Sequence, residues 1–187
     1  EQNKELVLDG TVEIDETFIG GKNKNRHKDK KVKHSKGRSF KDKVPVFGML
    51  QRGGNVVAKV VANTRAKTLR KEINKTIVEG STVYSDEWNY GNLSRKYNHS
   101  YINHCYGVYG IGEVTTNSIE GFWSILKRGI IGVYHKVSKW HLQKYVDEFV
   151  FRYNQRLLPL QEQFRTAMEC LNRRVTYNDL IYANEEA

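Results

Sequence analysis

The sequence predicts an α/β protein built on a mixed five-stranded sheet, flanked by helices and followed by extra C-terminal helices. Three observations point there. Three strand-like segments follow one another near the start, helical and strand-like periodicities alternate after them, and the tail returns to helical spacing alone. A three-stranded antiparallel meander followed by alternating helices and strands calls for a mixed central sheet with helices on both faces.

The elements fall in order. Gly10 to Ile19 alternates Val12 and Ile14 with acids and reads as a strand, which Gly20-Gly21 ends. Val44 to Leu50 is an apolar strand, Arg52-Gly53-Gly54-Asn55 a hairpin turn, and Val56 to Val61 the antiparallel return. Thr64 reads as a helix N-cap, with Leu69, Ile73, Ile77 and Val78 forming an apolar stripe that ends at Gly80. Ser81 to Asp86 is a short strand that stops on an acid. A short helix over Asn89 to Tyr97 and a weak strand near Tyr101-Ile102 follow. Helical periodicity returns from Thr116 to Arg128. It returns again after a Ser138 N-cap, where Leu142, Tyr145, Phe149 and Tyr153 recur at helical spacing. Phe164, Ala167, Met168 and Leu171 mark one more amphipathic stretch. This order is that of an RNase H-like fold, with residues 1–156 as the core, 22–43 as a basic loop or arm within it, and 157–187 as a helical extension.

Composition narrows the function classes. A chain of 187 residues can bury one core, and no apolar run approaches the roughly 18 residues that span a bilayer. The first residues do not resemble a signal peptide, so an intracellular protein is expected, cytoplasmic in a prokaryote or nuclear in a eukaryote. Cys105 and Cys170 have no partners at metal spacing, which argues against a disulfide framework or a cysteine-based zinc site. The formal charge is +10, and its location is informative. Lys22 to Lys43 holds eleven Lys/Arg against two acids, while the rest of the chain carries twenty against nineteen. Such a run is either a solvated, disordered segment or an arm that binds a polyanion by counterion release, and one segment can be both in turn. Lys30, Lys31, Lys33 and Arg38 are its candidate DNA contacts.

Three acids could carry chemistry. Glu13, Asp15 and Thr17 share one strand face, and acids are scarce in strands. Asp15 is therefore either a site residue or a solvated acid of an edge strand. Asp86 lies where a strand meets a loop, the place where open α/β sheets gather their sites, though it could equally cap a helix at Trp88-Asn89-Tyr90. Asn117, Glu120, Ser124 and Lys127 share one helix face, beside an apolar face of Ile119, Phe122, Trp123 and Leu126. Alone, Glu120 reads as an exposed acid on an amphipathic helix. Together, two strand aspartates and a helix glutamate form an oxygen-rich set suited to Mg²⁺ or Mn²⁺, two ions of which serve in-line displacement at phosphorus. Periodicity cannot choose between Asn117 and Glu120 as the third ligand. A hard cation gains more from a carboxylate than from an amide, which favours Glu120.

Val12-Glu13-Ile14-Asp15-Glu16-Thr17-Phe18-Ile19-Gly20-Gly21-Lys22 resembles the first-aspartate block of insertion-sequence DDE transposases of the Merlin-related, ISXO-like family. Tyr84-Ser85-Asp86-Glu87-Trp88, with Tyr97-Asn98-His99, resembles their second block. The segment from Thr116 to Ile130, with Tyr134 to Ser138 and Glu148 to Asn154, resembles their third. The resemblance covers about Gly10 to Arg156. It implies an RNase H-like core, two divalent ions, transposon-end and target DNA as partners, a homo-oligomer in the active complex, and hydrolysis followed by strand transfer. It assigns catalysis and metal binding to Asp15, Asp86 and Glu120, and a DNA-side role to Lys127. Arg128, Asn117 and His135 are expected to contact DNA beside it, while His99 and His104 read as packing or surface residues. Members usually carry a zinc-ribbon and helical segment ahead of this core, so the chain is expected to be a fragment that lacks most of its end-recognition module. Two other readings share these residues: a structure-specific nuclease of the same fold, and a domesticated DNA-binding protein without transposition.

Overall fold

The structure, a computed structural model, describes residues 6–21, 23–34, 38–86, 90–102, 114–171, 176 and 177. Five strands form one sheet: β1 (Thr11–Ile19), β2 (Val44–Gln51), β3 (Val56–Val60), β4 (Thr82–Ser85) and β5 (Asn98–Tyr101). Their order is β3-β2-β1-β4-β5. The hairpins β1–β2 and β2–β3 are antiparallel, whereas β1–β4 and β4–β5 are parallel. The mixed sheet of the RNase H-like reading is therefore present. β1 is its central strand, so its acids do not lie on a solvated edge.

Strand alternation divides the core. Val12 and Ile14 of β1, Phe47 and Met49 of β2, and Val83 of β4 point to one face. There they meet Leu69 and Ile73 of helix α1 (Ala66–Thr76). Val46 and Leu50 of β2, with Val56 and Ala58 of β3, point to the other face. That face is covered by α2 (Asn117–Gly129) and α3 (Leu142–Gln155) through Ile119, Phe122, Leu126, Leu142, Val146 and Phe149. Because side chains alternate, Glu13, Asp15 and Thr17 face α2. The central strand thus turns its acidic side toward one helix.

The edge strand β3 is closed by side chains of α3. Asn154 accepts the Val56 N–H at 2.8 Å and donates to the Val56 carbonyl at 3.0 Å. Gln143 accepts the Val60 N–H at 2.6 Å and donates to the Ala58 carbonyl at 3.2 Å. These amides replace a sixth strand and block edge pairing. Helix α4 (Leu160–Glu169) follows α3 and has no buried residue. Among the described residues no helix is long and apolar enough to cross a membrane.

Four local readings are corrected. Thr64 is not the cap of α1, which starts at Ala66 after Arg65; the Asn63 side chain accepts from Arg65 N–H and the Thr68 hydroxyl. That helix also stops before Gly80, because Ile77 turns extended and bridges Leu8. Over the described part of Asn89 to Tyr97 there is one 3₁₀ turn, Leu93–Arg95, instead of a helix. Tyr90, Leu93 and Tyr97 have helical spacing and are buried, but Gly91 sits at φ 76°, a left-handed conformation that interrupts a right-handed helix. Ser138 does not cap α3. Its hydroxyl bonds His141 in a turn, and the helix begins at Leu142.

Candidate active site

The parallel ladder between β1 and β4 ends at the pair Ile14–Ser85. Asp15 and Asp86 each follow that pair by one residue, so the register itself brings them side by side, Asp15 in the middle of β1 and Asp86 just past the carboxyl end of β4. Both line an open cleft of about 430 Å³ with Glu120, Ser124 and Lys127 of α2, Trp123, Glu16, Thr17, and Arg38 from the basic loop. Three carboxylates widely separated in sequence, carried by β1, the end of β4 and α2, thus share one cleft with two cations. Asn117, one helical turn before Glu120, is exposed and does not line it.

Burial pushes the Asp15 carboxyl up to about 7, and the negative charges of Glu16 and Asp86 add to the rise. Hydrogen bonds from the Glu16 amide and the Trp123 indole oppose it. Lys127 is shifted the opposite way: burial lowers its ammonium, Asp15 raises it, and Lys43 lowers it further. The cleft therefore holds like charges that repel, with oxygen as the dominant donor type. Among the described residues no three His, Cys, Asp or Glu side chains converge closely enough to enclose an ion as the cleft stands.

Two arrangements fix α2 over β1. The Trp123 indole N–H donates to Asp15 Oδ2 at 2.9 Å. The ring lies over Gly48, which is paired with Asp15 in the β1–β2 register. A Cβ at Gly48 would stand 2.5 Å from Trp123 Cζ2 and 3.0 Å from Ile119 Cδ1, so only glycine admits the indole there. The second arrangement is at Glu13, whose side chain is wholly buried. One oxygen accepts the Ser118 and Ile119 amides at 2.9 and 3.0 Å, satisfying free donors of the first turn of α2. The other oxygen accepts Arg52 Nε at 2.7 Å. Arg52 in turn donates to the Thr115 carbonyl and hydroxyl and lies 4.8 Å over the Tyr84 ring.

The chain that builds this cleft matches the ISXO2-like transposase domain over residues 7–154, from just before β1 to the end region of α3. It belongs to that family. The chain is also 29% identical over 175 residues to an uncharacterized protein in the transposable element ISH50 of Halobacterium salinarum. That alignment covers 87% of this chain and 58% of the relative, so the chain spans less than two thirds of the relative's length. No solved structure matches.

The remaining expected residues of this transposase domain are scattered. Arg38 reaches the cleft, whereas Lys30, Lys31 and Lys33 are exposed on the loop and do not line it. The described part of that loop has contacts of its own. Asn23 exchanges two hydrogen bonds with Val32, Arg26 pairs with Asp42 at 3.4 Å, and Phe40 packs edge-on against Phe18. Arg128 is exposed beyond Lys127, and His135 is exposed with its ring bonded to the Ile131 carbonyl. His99 is half-buried, its imidazole lowered by burial and bonded to the Ser85 hydroxyl at 2.9 Å. His104 and Cys105 lie outside the described residues, as do Trp88 and Asn89 of the helix that Asp86 is alternatively expected to cap. Local pattern gives Glu13 no partner and reads Trp123 only as part of an apolar helix face, and strand alternation alone would not put Glu16 with Asp15 on the cleft that both line. The available signal for Glu13 was an acid on the same strand face as Asp15 and Thr17, where acids are scarce.

Proposed function

We propose that this domain cuts DNA at transposon ends and joins the resulting 3′-hydroxyl to target DNA, with Asp15, Asp86 and Glu120 as its catalytic carboxylates. The observation that supports this most is their shared cleft, with Lys127 and Arg38 on its wall. The all-oxygen donor set suits Mg²⁺ or Mn²⁺, and a divalent cation would counter the burial and the neighbouring negative charges that raise Asp15. When bound, such ions supply charge neutralisation and activation for in-line displacement at phosphorus.

The chain's own residues supply placement. Trp123 holds one Asp15 oxygen and so sets the direction in which the carboxylate faces the cleft. Glu13 and Arg52 fix the start of α2, which holds Glu120 on the cleft that Asp15 lines. Lys127 stands two helical turns beyond Glu120 on the same face, so a strand lying over the carboxylates meets an ammonium at a neighbouring phosphate. Glu120 is preferred to Asn117 because it is an anion and lines the cleft, whereas the amide does not. The kinship with Merlin-related elements, an oligomeric active complex and specific transposon ends belong to the same reading.

A gel assay tests it. Labelled duplex carrying the element's terminal repeat is incubated with the protein, Mg²⁺ and a target plasmid. Joined products support transposition. Nicks alone would point to a nuclease, and a mobility shift alone to a DNA-binding protein.

A further inference from the structure

The net charge outside the basic loop is almost nil, yet this average conceals a second basic region. From Gly121 to Val146 there is no Asp or Glu, while Lys127, Arg128, Lys136, Lys139 and Lys144 all fall within it. Its middle is the connector between α2 and α3, which begins three residues beyond Lys127 of the cleft. Ile130–Tyr134 forms a π-helical turn, a rare conformation that tends to occur at functional positions. His135 follows at φ 57°, a left-handed backbone that a non-glycine residue adopts only when its surroundings compel it.

Those surroundings are visible. The Tyr134 hydroxyl donates to Glu148 at 2.5 Å, and its ring stands edge-on to Tyr145 and Phe149 of α3. Ser138 is bonded to both the ring and the amide of His141. The backbone is thus held at both ends, and what it holds outward is apolar. Ile131 and Val133 are largely exposed, and Trp140 is 68% exposed with the Lys139 ammonium 5.3 Å over its ring. An indole presented among lysines, without an acid nearby in the sequence, fits a polyanion that also offers flat apolar rings. Unpaired nucleotides do both, because their phosphates pair with lysine and their bases stack on an aromatic face.

We propose that the α2–α3 connector is a second DNA-contact surface, on which Trp140 stacks against an unpaired base and Lys136 and Lys139 hold the flanking phosphates. The proposal rests on the transposase reading, because cutting and joining DNA ends creates single-stranded ends. It assigns this surface a different substrate from the loop of Lys30, Lys31 and Lys33, which holds backbone charge alone.

The test is fluorescence anisotropy with two DNAs, a blunt duplex and the same duplex carrying a short single-stranded extension. Wild-type protein is expected to prefer the extended DNA. Trp140→Ala loses that preference, with binding to the extension roughly tenfold weaker and blunt-duplex affinity unchanged. Trp140→Phe, which keeps an aromatic face, retains most of it. The double change Lys136→Gln and Lys139→Gln lowers the steepness of salt dependence on the extended DNA and leaves that on the blunt duplex unchanged. If Trp140→Ala binds both DNAs as wild type does, the proposal is wrong while the transposase reading stands. If the same variant instead alters the mass of the DNA-free protein in light scattering, the indole covers a second copy of the chain, and the proposal again fails. A wild type that binds neither DNA overturns both readings.

Discussion

Glu13 of the central strand and Ser118 of α2 are joined by a hydrogen bond of 2.9 Å across 105 residues of sequence, with the glutamate carboxylate accepting the helix amide. Asp15 lies two residues beyond Glu13 and Glu120 two residues beyond Ser118. The bond therefore fixes the spacing between the candidate catalytic strand and helix one step away from the cleft itself.

Glu13→Ala is expected to destabilise the fold by about 3 kcal/mol, because it strands Arg52 and leaves two helix amides without their acceptor. Glu13→Gln keeps an acceptor for the amides and should cost clearly less. Urea unfolding checks both, and an alanine variant as stable as wild type would show that the clamp contributes nothing.

Gly48→Ala tests the close approach of Trp123. The added methyl group meets the indole ring at a distance that no ordinary packing tolerates, so the ring must move or the strand must shift. The expected cost is about 1–3 kcal/mol, with loss of the indole bond to Asp15 and of DNA cleavage. Unfolding and a cleavage assay on the same preparation check it; normal values in both would contradict the packing described.

The raised Asp15 carboxyl makes stability pH-dependent in the absence of divalent ions. Its folded-state value of about 7 lies above the unfolded 3.8, so the folded protein binds the extra proton between the two. The associated stability is full below pH 4 and is lost as pH rises through 7. Asp15→Asn removes that dependence and keeps an acceptor for Trp123, so in EDTA at pH 8 the variant should melt several degrees above wild type. At pH 4 the difference should vanish. Melting curves that run parallel across this range would contradict the assignment.

The basic loop and the cleft should separate in their salt response. Replacing Lys30, Lys31 and Lys33 with Gln is expected to flatten the dependence of log affinity on log salt, by about 0.9 for each phosphate that the loop no longer neutralises. Arg38→Gln should instead reduce cleavage with at most one such step in slope. Equal slopes for the triple variant and wild type would make the loop a solvated bystander.

Much of this was legible in the sequence because it depends on short-range pattern. The alternation of Val12 and Ile14 marks β1, and the spacing of Glu120, Ser124 and Lys127 puts three residues of one helix on the cleft wall. Turn chemistry at Gly53-Gly54 marks the hairpin. What stayed hidden depends on register or on backbone conformation. Nothing local to Glu13 names Arg52 or Ser118 as partners, and Gly48 matters only because pairing sets it beside Asp15 under the Trp123 ring. Tyr90, Leu93 and Tyr97 have the spacing of a helix, but the left-handed Gly91 makes them anchors of a loop. Ser138 has the chemistry of a cap and uses it on His141 three residues too early.

The central claim is that Asp15, Asp86 and Glu120 act as one catalytic set. Single-turnover cleavage of labelled terminal-repeat duplex, in Mg²⁺ and again in Mn²⁺, tests it with Asp15→Asn, Asp86→Asn, Glu120→Gln and, for comparison, Asn117→Ala. Each of the first three should keep its circular dichroism spectrum and lose several kcal/mol of charge stabilisation, on the order of 10³ in rate. Asn117→Ala should retain most of the wild-type rate. Near-normal cleavage by Glu120→Gln, with Asn117→Ala inactive, would contradict the account and move the third ligand to the amide.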